Sequence, residues 1–155
     1  MIESVKFSFL KPIVACLGVL RIRRIYKDVL GRNEQIEAED ILSPGDALLM
    51  IVAAILKGRQ IVREDQLDLI IDELGKSISN FGKMVSEANN KDRTPVAHLV
   101  IVDRMFVRMS GEQEFLDIRS GKKTNKLDLP PIEILTFDLT AALLRTLSAI
   151  KKETQ

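Results

Sequence analysis

Apolar residues run unbroken from position 47 to position 56, ALLMIVAAIL. That run predicts a helix that is apolar on every side, which a folded protein tolerates only when other elements cover it nearly all round. Ser43 as N-cap, Pro44 at the first helical position and Asp46 closing an S-x-x-D capping box mark its start, and Gly58 its stop. Over residues 63–74 the pattern turns amphipathic. Leu67, Ile70, Ile71 and Leu74 recur at i, i+3, i+4 and i+7, with Glu64, Asp65, Asp68, Asp72 and Glu73 mostly on other faces. Ile78, Phe81 and Val85 carry the same spacing toward Asn89, so Gly75 either caps this helix or interrupts a longer one.

The flanks are less regular. Val5, Phe7 and Phe9 alternate with Lys6 and Ser8, the period of a short strand. From Pro12 a helix is expected, with Ile13, Leu17, Leu20 and Ile25 near one stripe and Gly31 and Asn33 at its end; residues 34–42 read as an acidic helical turn or loop. After a loop at 89–95, residues 96–109 are rich in β-branched and bulky apolar side chains, interrupted at Asp103 and Arg104 and ending at a Ser110-Gly111 turn. Further short apolar runs at 115–118 and 127–129 end in Ser-Gly and Pro-Pro. Together they predict an antiparallel meander. Ile132, Leu135, Leu139, Leu143, Leu147 and Ile150 then give a C-terminal helix, unless 132–134 forms a strand and the helix begins after Thr136. The expectation is one α+β domain spanning 1–155, with a helical part at 1–92 and a β-meander plus C-terminal helix at 93–155.

Composition narrows the functions available. The chain has 155 residues, 46% of them apolar and 29% charged, enough for a core without metals or disulfides. Aromatic residues make up only 5%, with no Trp, which leaves no stacking platform for bases or sugars. The net charge of +1 gives no global steering toward an anionic partner, although residues 1–30 are basic and 31–75 acidic. Cys16 is the sole cysteine, so no internal disulfide forms and a cytoplasmic location is expected. No apolar segment is long enough for a membrane span.

Candidate chemistry is sparse. His98, the sole histidine, lies in an apolar run and needs a nucleophile or an orienting carboxylate to act as a base; Cys16, between Ala15 and Leu17, reads as a small buried hydrophobe. One His and one Cys cannot build a zinc site, which leaves Asp65, Asp68 and Asp72 as an all-oxygen site for Mg²⁺ or Ca²⁺, or as a solvated helix face. Arg21, Arg23, Arg24 and Lys27, and again Lys122, Lys123 and Lys126, form two basic clusters suited to phosphates. No glycine-rich phosphate loop is present, and no cofactor is expected. Residues 53–74, an alanine-rich helix, a glycine turn and an acidic helix, resemble the helical tellurite-resistance TerB-like domains. Lys57-Gly58 stands where that family has Asp-Gly, so no metal ligand is carried over. The leading expectation is a non-enzymatic cytoplasmic interaction or regulatory module, homodimeric through an apolar C-terminal face at Phe137 and Leu144. The alternatives are a nucleic-acid-binding protein using residues 21–27 and 122–126, and a small enzyme or divalent-metal-binding domain using the three aspartates.

Overall fold

The computed structural model describes residues 4–33, 35–87, 96–104, 106–119, 133–142, 144–145 and 148. Lys122, Lys123, Lys126 and the runs at 89–95 and 127–129 lie outside the described residues.

The apolar run forms the inner helix. Ser43 Oγ accepts from the Asp46 amide at 3.2 Å, Pro44 opens the helix, and α3 extends over Pro44–Gly58. From 47 to 56 every residue but Ile55 is buried. Gly58 is the last helical residue, but the chain reverses through Gln60, which takes the positive φ of 51°. The amphipathic spacing forms α4, Glu64–Glu87, continuous through Gly75. Leu67, Ile70, Ile71, Ile78, Phe81 and Val85 are all buried against the core.

The two helices cross through glycine. A methyl group on Gly45 would overlap the backbone carbonyl of Ser79, and one on Gly82 would sit 2.5 Å from the Gly45 Cα. Backbones this close need hydrogen at both positions, and the crossing is locked by Ser79 Oγ donating to Asp46 Oδ1 at 2.7 Å. Asp46 therefore serves both its own helix start and its neighbour.

The N-terminal region departs from the single strand and helix expected. β1 is only Val5–Lys6, pairing antiparallel with β2, Ile41–Leu42, in the acidic stretch read as a turn or loop. Phe7 already begins α1, Phe7–Val14, which contains Pro12. A proline there cannot donate to the Ser8 carbonyl, and three residues later the coil tightens into a 3₁₀ turn, Ala15–Leu17. Gly18, at φ 82° and ψ 154°, then breaks the path in a conformation open essentially to glycine alone. The chain resumes as α2, Val19–Arg24, and widens into a π turn over Ile25–Val29. The break corrects the expected stripe: Leu17 and Ile25 are buried, whereas Ile13 is 40% and Leu20 81% exposed.

The C-terminal part is an antiparallel sheet of order β4-β3-β5. β3, Ala97–Val102, and β4, Phe106–Gly111, are the two halves of the long apolar run; Asp103 and Arg104 both adopt positive φ in the connection. Glu133 holds this turn, its amide donating to Asp103 Oδ1 at 2.8 Å and its carboxylate accepting from Arg104 Nε at 3.1 Å. The run at 115–118, expected as strand, lies in α5, Glu112–Arg119. β5, Ile134–Asp138, pairs with β3, so Leu135 and Phe137 are strand residues. Helix follows only from 139, with 139–142, 144–145 and 148 helical. Leu99, Ile101 and Leu139 join the helical side chains in one core, making an α+β fold.

The crossing gives a direct test. Gly45→Ala is expected to lower the unfolding free energy by about 2–3 kcal/mol through overpacking. Gly58→Ala, whose added methyl meets only Cys16 Sγ at 3.5 Å, is expected to be neutral or to gain about 0.5–1 kcal/mol from helix propensity. Urea unfolding checks both; equal effects at the two positions would contradict the crossing.

Candidate functional site

The basic cluster and the acidic helix face each other. Arg21 and Arg24 stand one turn apart on α2, while Glu64, Asp68 and Asp72 stand one turn apart on α4. Arg21 reaches Glu64 at 2.9 Å and Asp68 at 3.0 Å; Arg24 reaches Asp68 at 3.3 Å and Asp72 at 2.7 Å. Lys57 closes the row on Glu64 at 2.7 Å. Burial works against the charge on Asp68, but the hydrogen bonds and charges of Arg21 and Arg24 outweigh it and hold its carboxyl below the usual range. Lys57 and Arg21 do the same for Glu64.

This network redraws two sequence expectations. Asp68 and Asp72 are occupied by guanidinium groups, and Asp65 pairs separately with Arg63 at 2.8 Å. Among the described residues no group of three His, Cys, Asp or Glu side chains is placed to hold a metal ion. Arg21 and Arg24 are likewise spent on α4, leaving Arg23 as the exposed arginine of the cluster, with Lys27 also exposed.

A concave surface lies beside the Gly18 break. A groove of about 790 Å³ has Phe7, Val19, Ile22 and Ile36 among its apolar walls and Lys11 and Arg23 at its edge. Neither cation makes an ion pair with a described residue. The wall carrying Ile36 is held by several local bonds: Phe7 N donates to Asp40 O at 2.7 Å and Ser8 N to Ala38 O at 3.0 Å. Tyr26, buried and edge-on to Phe7 with centroids 6.0 Å apart, donates its hydroxyl to Asp40 Oδ2 at 3.4 Å. Burial pushes that hydroxyl up to about 12, so it stays protonated as the donor. A second, shallower hollow of about 500 Å³ lies across Val19 and Leu20, over Arg21, Arg24 and Asp68. Val19 and Leu20, 64% and 81% exposed, thus form an apolar ridge between two hollows.

Strand register places Ser110 and Asp138 on either side of His98, an order the sequence did not disclose because it depends on which strands pair. The row is not built as a nucleophile site: Ser110 is 2% exposed, its Oγ has no hydrogen-bond partner among the described residues, and Asp138 Oδ1 accepts from Ala141 N at the start of the C-terminal helix. Cys16 is exposed, contrary to its reading as a core residue, and its thiol lies 3.5 Å from Ala54 O. Phe137 belongs to β5 and is half-buried beside Val52, Leu56 and Leu99, so it does not share a helix with Leu144, which is 46% exposed. Compared with known proteins, the chain matches no family model, no curated protein and no solved structure.

Asp68 and Glu64 are held below their unfolded values, so they contribute stability above the ordinary carboxylate range and lose it as pH falls through that range. Urea midpoints are therefore expected to drop below about pH 4. Asp68→Asn should cost up to about 1 kcal/mol at neutral pH, since half of that carboxylate is in water, and should flatten the acid limb; an unchanged limb would show the network to be inert. Ser110→Ala, which removes a buried hydroxyl with no partner among the described residues, should leave stability unchanged or raise it by about 1 kcal/mol. A loss on thermal melting would reveal a partner for that hydroxyl.

Proposed function

We propose that this protein is a non-enzymatic interaction module and that its recognition surface is the groove and ridge around Gly18. The observation that carries the reading is the exposure of Val19 and Leu20 beside an apolar groove with two cations at its edge that pair with no described residue. A core element would turn those side chains inward, and α2 has the freedom to do so only by giving up the Arg21 and Arg24 pairs. Exposed apolar side chains contiguous with a concave surface mark sites of association more often than isolated ones do.

Other surfaces support the role less well. The C-terminal face keeps Leu144 exposed but has Phe137 half-buried, which reduces the apolar area on offer for a homodimer. A nucleic-acid role has lost Arg21 and Arg24 to internal pairs. No described helix is long and apolar enough to cross a membrane. The lone cysteine accords with a reducing, cytoplasmic setting.

A photo-crosslinking residue at Leu20 tests the reading in the native host, with the same residue at Leu69 as control. Leu69 is also exposed, at 61%, but lies on α4 away from the groove lining. Discrete protein adducts from position 20 alone are expected. Adducts to nucleic acid, equal labelling from both positions, or no adduct would overturn it.

A further inference from the structure

We infer that the groove at Gly18 takes an acidic amphipathic segment of another protein, laid with apolar side chains against Phe7, Val19 and Ile22 and carboxylates toward Lys11 and Arg23. The inference rests on the reading of this groove as a recognition surface and adds the chemistry of the occupant.

Three observations lead to that occupant. First, the groove is open to solvent along one side, so whatever fills it keeps a face in water and must itself be amphipathic. Second, the apolar surface does not stop at the groove but continues over Val19 and Leu20 into the second hollow, farther than a compact small molecule needs. An elongated segment fits that shape. Third, the charge around the groove is one-sided. Among the described residues, Lys11 and Arg23 are its charged lining residues, and no carboxylate is among them.

The contrast between neighbouring arginines sharpens the charge argument. Arg21, Arg23 and Arg24 share one short helix, yet Arg21 and Arg24 meet three carboxylates on α4 while Arg23 lines the groove and meets no described carboxylate. α2 thus presents its compensated charge inward and its uncompensated charge to the open side. A basic or neutral segment would leave Lys11 and Arg23 without partners at a closed interface, whereas an acidic one satisfies both. A planar anionic membrane could meet Leu20 but could not enter the concavity between Phe7 and Ile36.

Selection of displayed random short peptides on the full chain, followed by titration of synthetic versions of those enriched, tests the proposal. Enriched peptides are expected to carry Asp or Glu flanking Leu, Ile or Phe, and their binding should weaken as salt rises. Binding should fall about tenfold or more in the double variant Lys11→Glu, Arg23→Glu and in Leu20→Ser, and stay unchanged in Leu69→Ser. All four sites are exposed, and circular dichroism melts of each variant check that it folds. Basic or uncharged peptides that are lost with Leu20→Ser would overturn the acidic occupant while leaving the groove as a recognition surface. Peptides indifferent to every variant would overturn both. Sedimentation showing a dimer broken by Leu20→Ser, or binding to phosphatidylglycerol vesicles without any peptide ligand, would replace the occupant with a second copy or a membrane surface and so overturn the inference.

Discussion

Ten successive residues without charge or hydroxyl impose the main constraint on this molecule: α3 has no face fit for water, so it must be enclosed. Burying each large aliphatic side chain contributes about 1.5–3 kcal/mol, and leaving any quarter of the helix open would forfeit several such terms. Enclosure needs covering elements on all sides, and the chain supplies α1 and the 3₁₀ turn, α4, and the inner face of the sheet. The closest of these contacts is with α4, and there the limit is steric. Gly45 and Gly82 let the two backbones touch, and the polar groups trapped by that approach, Ser79 and Asp46, satisfy one another. Small residues at the crossing and a saturated hydrogen bond beside it follow from the same need to seal one end of an apolar rod.

α2 is held differently. It buries Ile22 and, through the π turn, Ile25 and Tyr26, but its outer face is fastened to α4 by charge. Individual ion pairs at a surface contribute little. Here the pairs form a row in which Asp68 serves two arginines and Glu64 serves Arg21 and Lys57, so each geometry is fixed by its neighbours. The row also fixes which way α2 is turned. With Arg21 and Arg24 committed to α4 and Ile22 to the core, Val19, Leu20 and Arg23 have no inward direction left. The exposed ridge is therefore a consequence of how the charges are matched, not an accident of a loose segment.

Much of this architecture was legible in the sequence, and the failures have physical causes. The cap at Ser43, the closed inner helix and the amphipathic face of α4 are local patterns that tertiary packing reinforced. Gly75 read as a cap or an interruption because glycine is a poor helix former, yet α4 runs through it, and a methyl there would overlap Val29 Cγ1, so the glycine serves the packing of a continuous helix. The strand expected over 5–9 shrinks to Val5–Lys6, and β2 escaped notice because its two residues, paired across the chain from positions 5 and 6, have no periodic signature of their own. The phase slip at Gly18 was readable in principle: Leu10, Val14 and Leu17 call for 21 and 24 next, but 22 and 25 are the apolar positions. A helix continued without a break would have put two arginines in the core. The Ser-Gly pair after 109 suggested a hairpin turn, whereas Ser110 and Gly111 lie within β4 and the turn falls at Asp103 and Arg104, whose positive φ no glycine announces.

The candidate site depended on information of another kind. Clusters of like charge looked like binding residues because a sequence shows which charges lie near one another along the chain, not which opposite charges lie across from them. Arg21 and Asp68 are 47 positions apart and cancel. What remains after such cancellation is the useful signal: Lys11 and Arg23 were, respectively, unremarked and one of four equals until the fold paired Arg21 and Arg24. The same subtraction acts on apolar residues. Phe137 looked available and is half-buried against the core, while Leu20, assigned to the core stripe, is the most exposed large apolar side chain described. Recognition surfaces in a chain of near-neutral charge are thus found by asking which groups the fold leaves unmatched. Here the unmatched apolar and basic groups fall together at one glycine-defined corner.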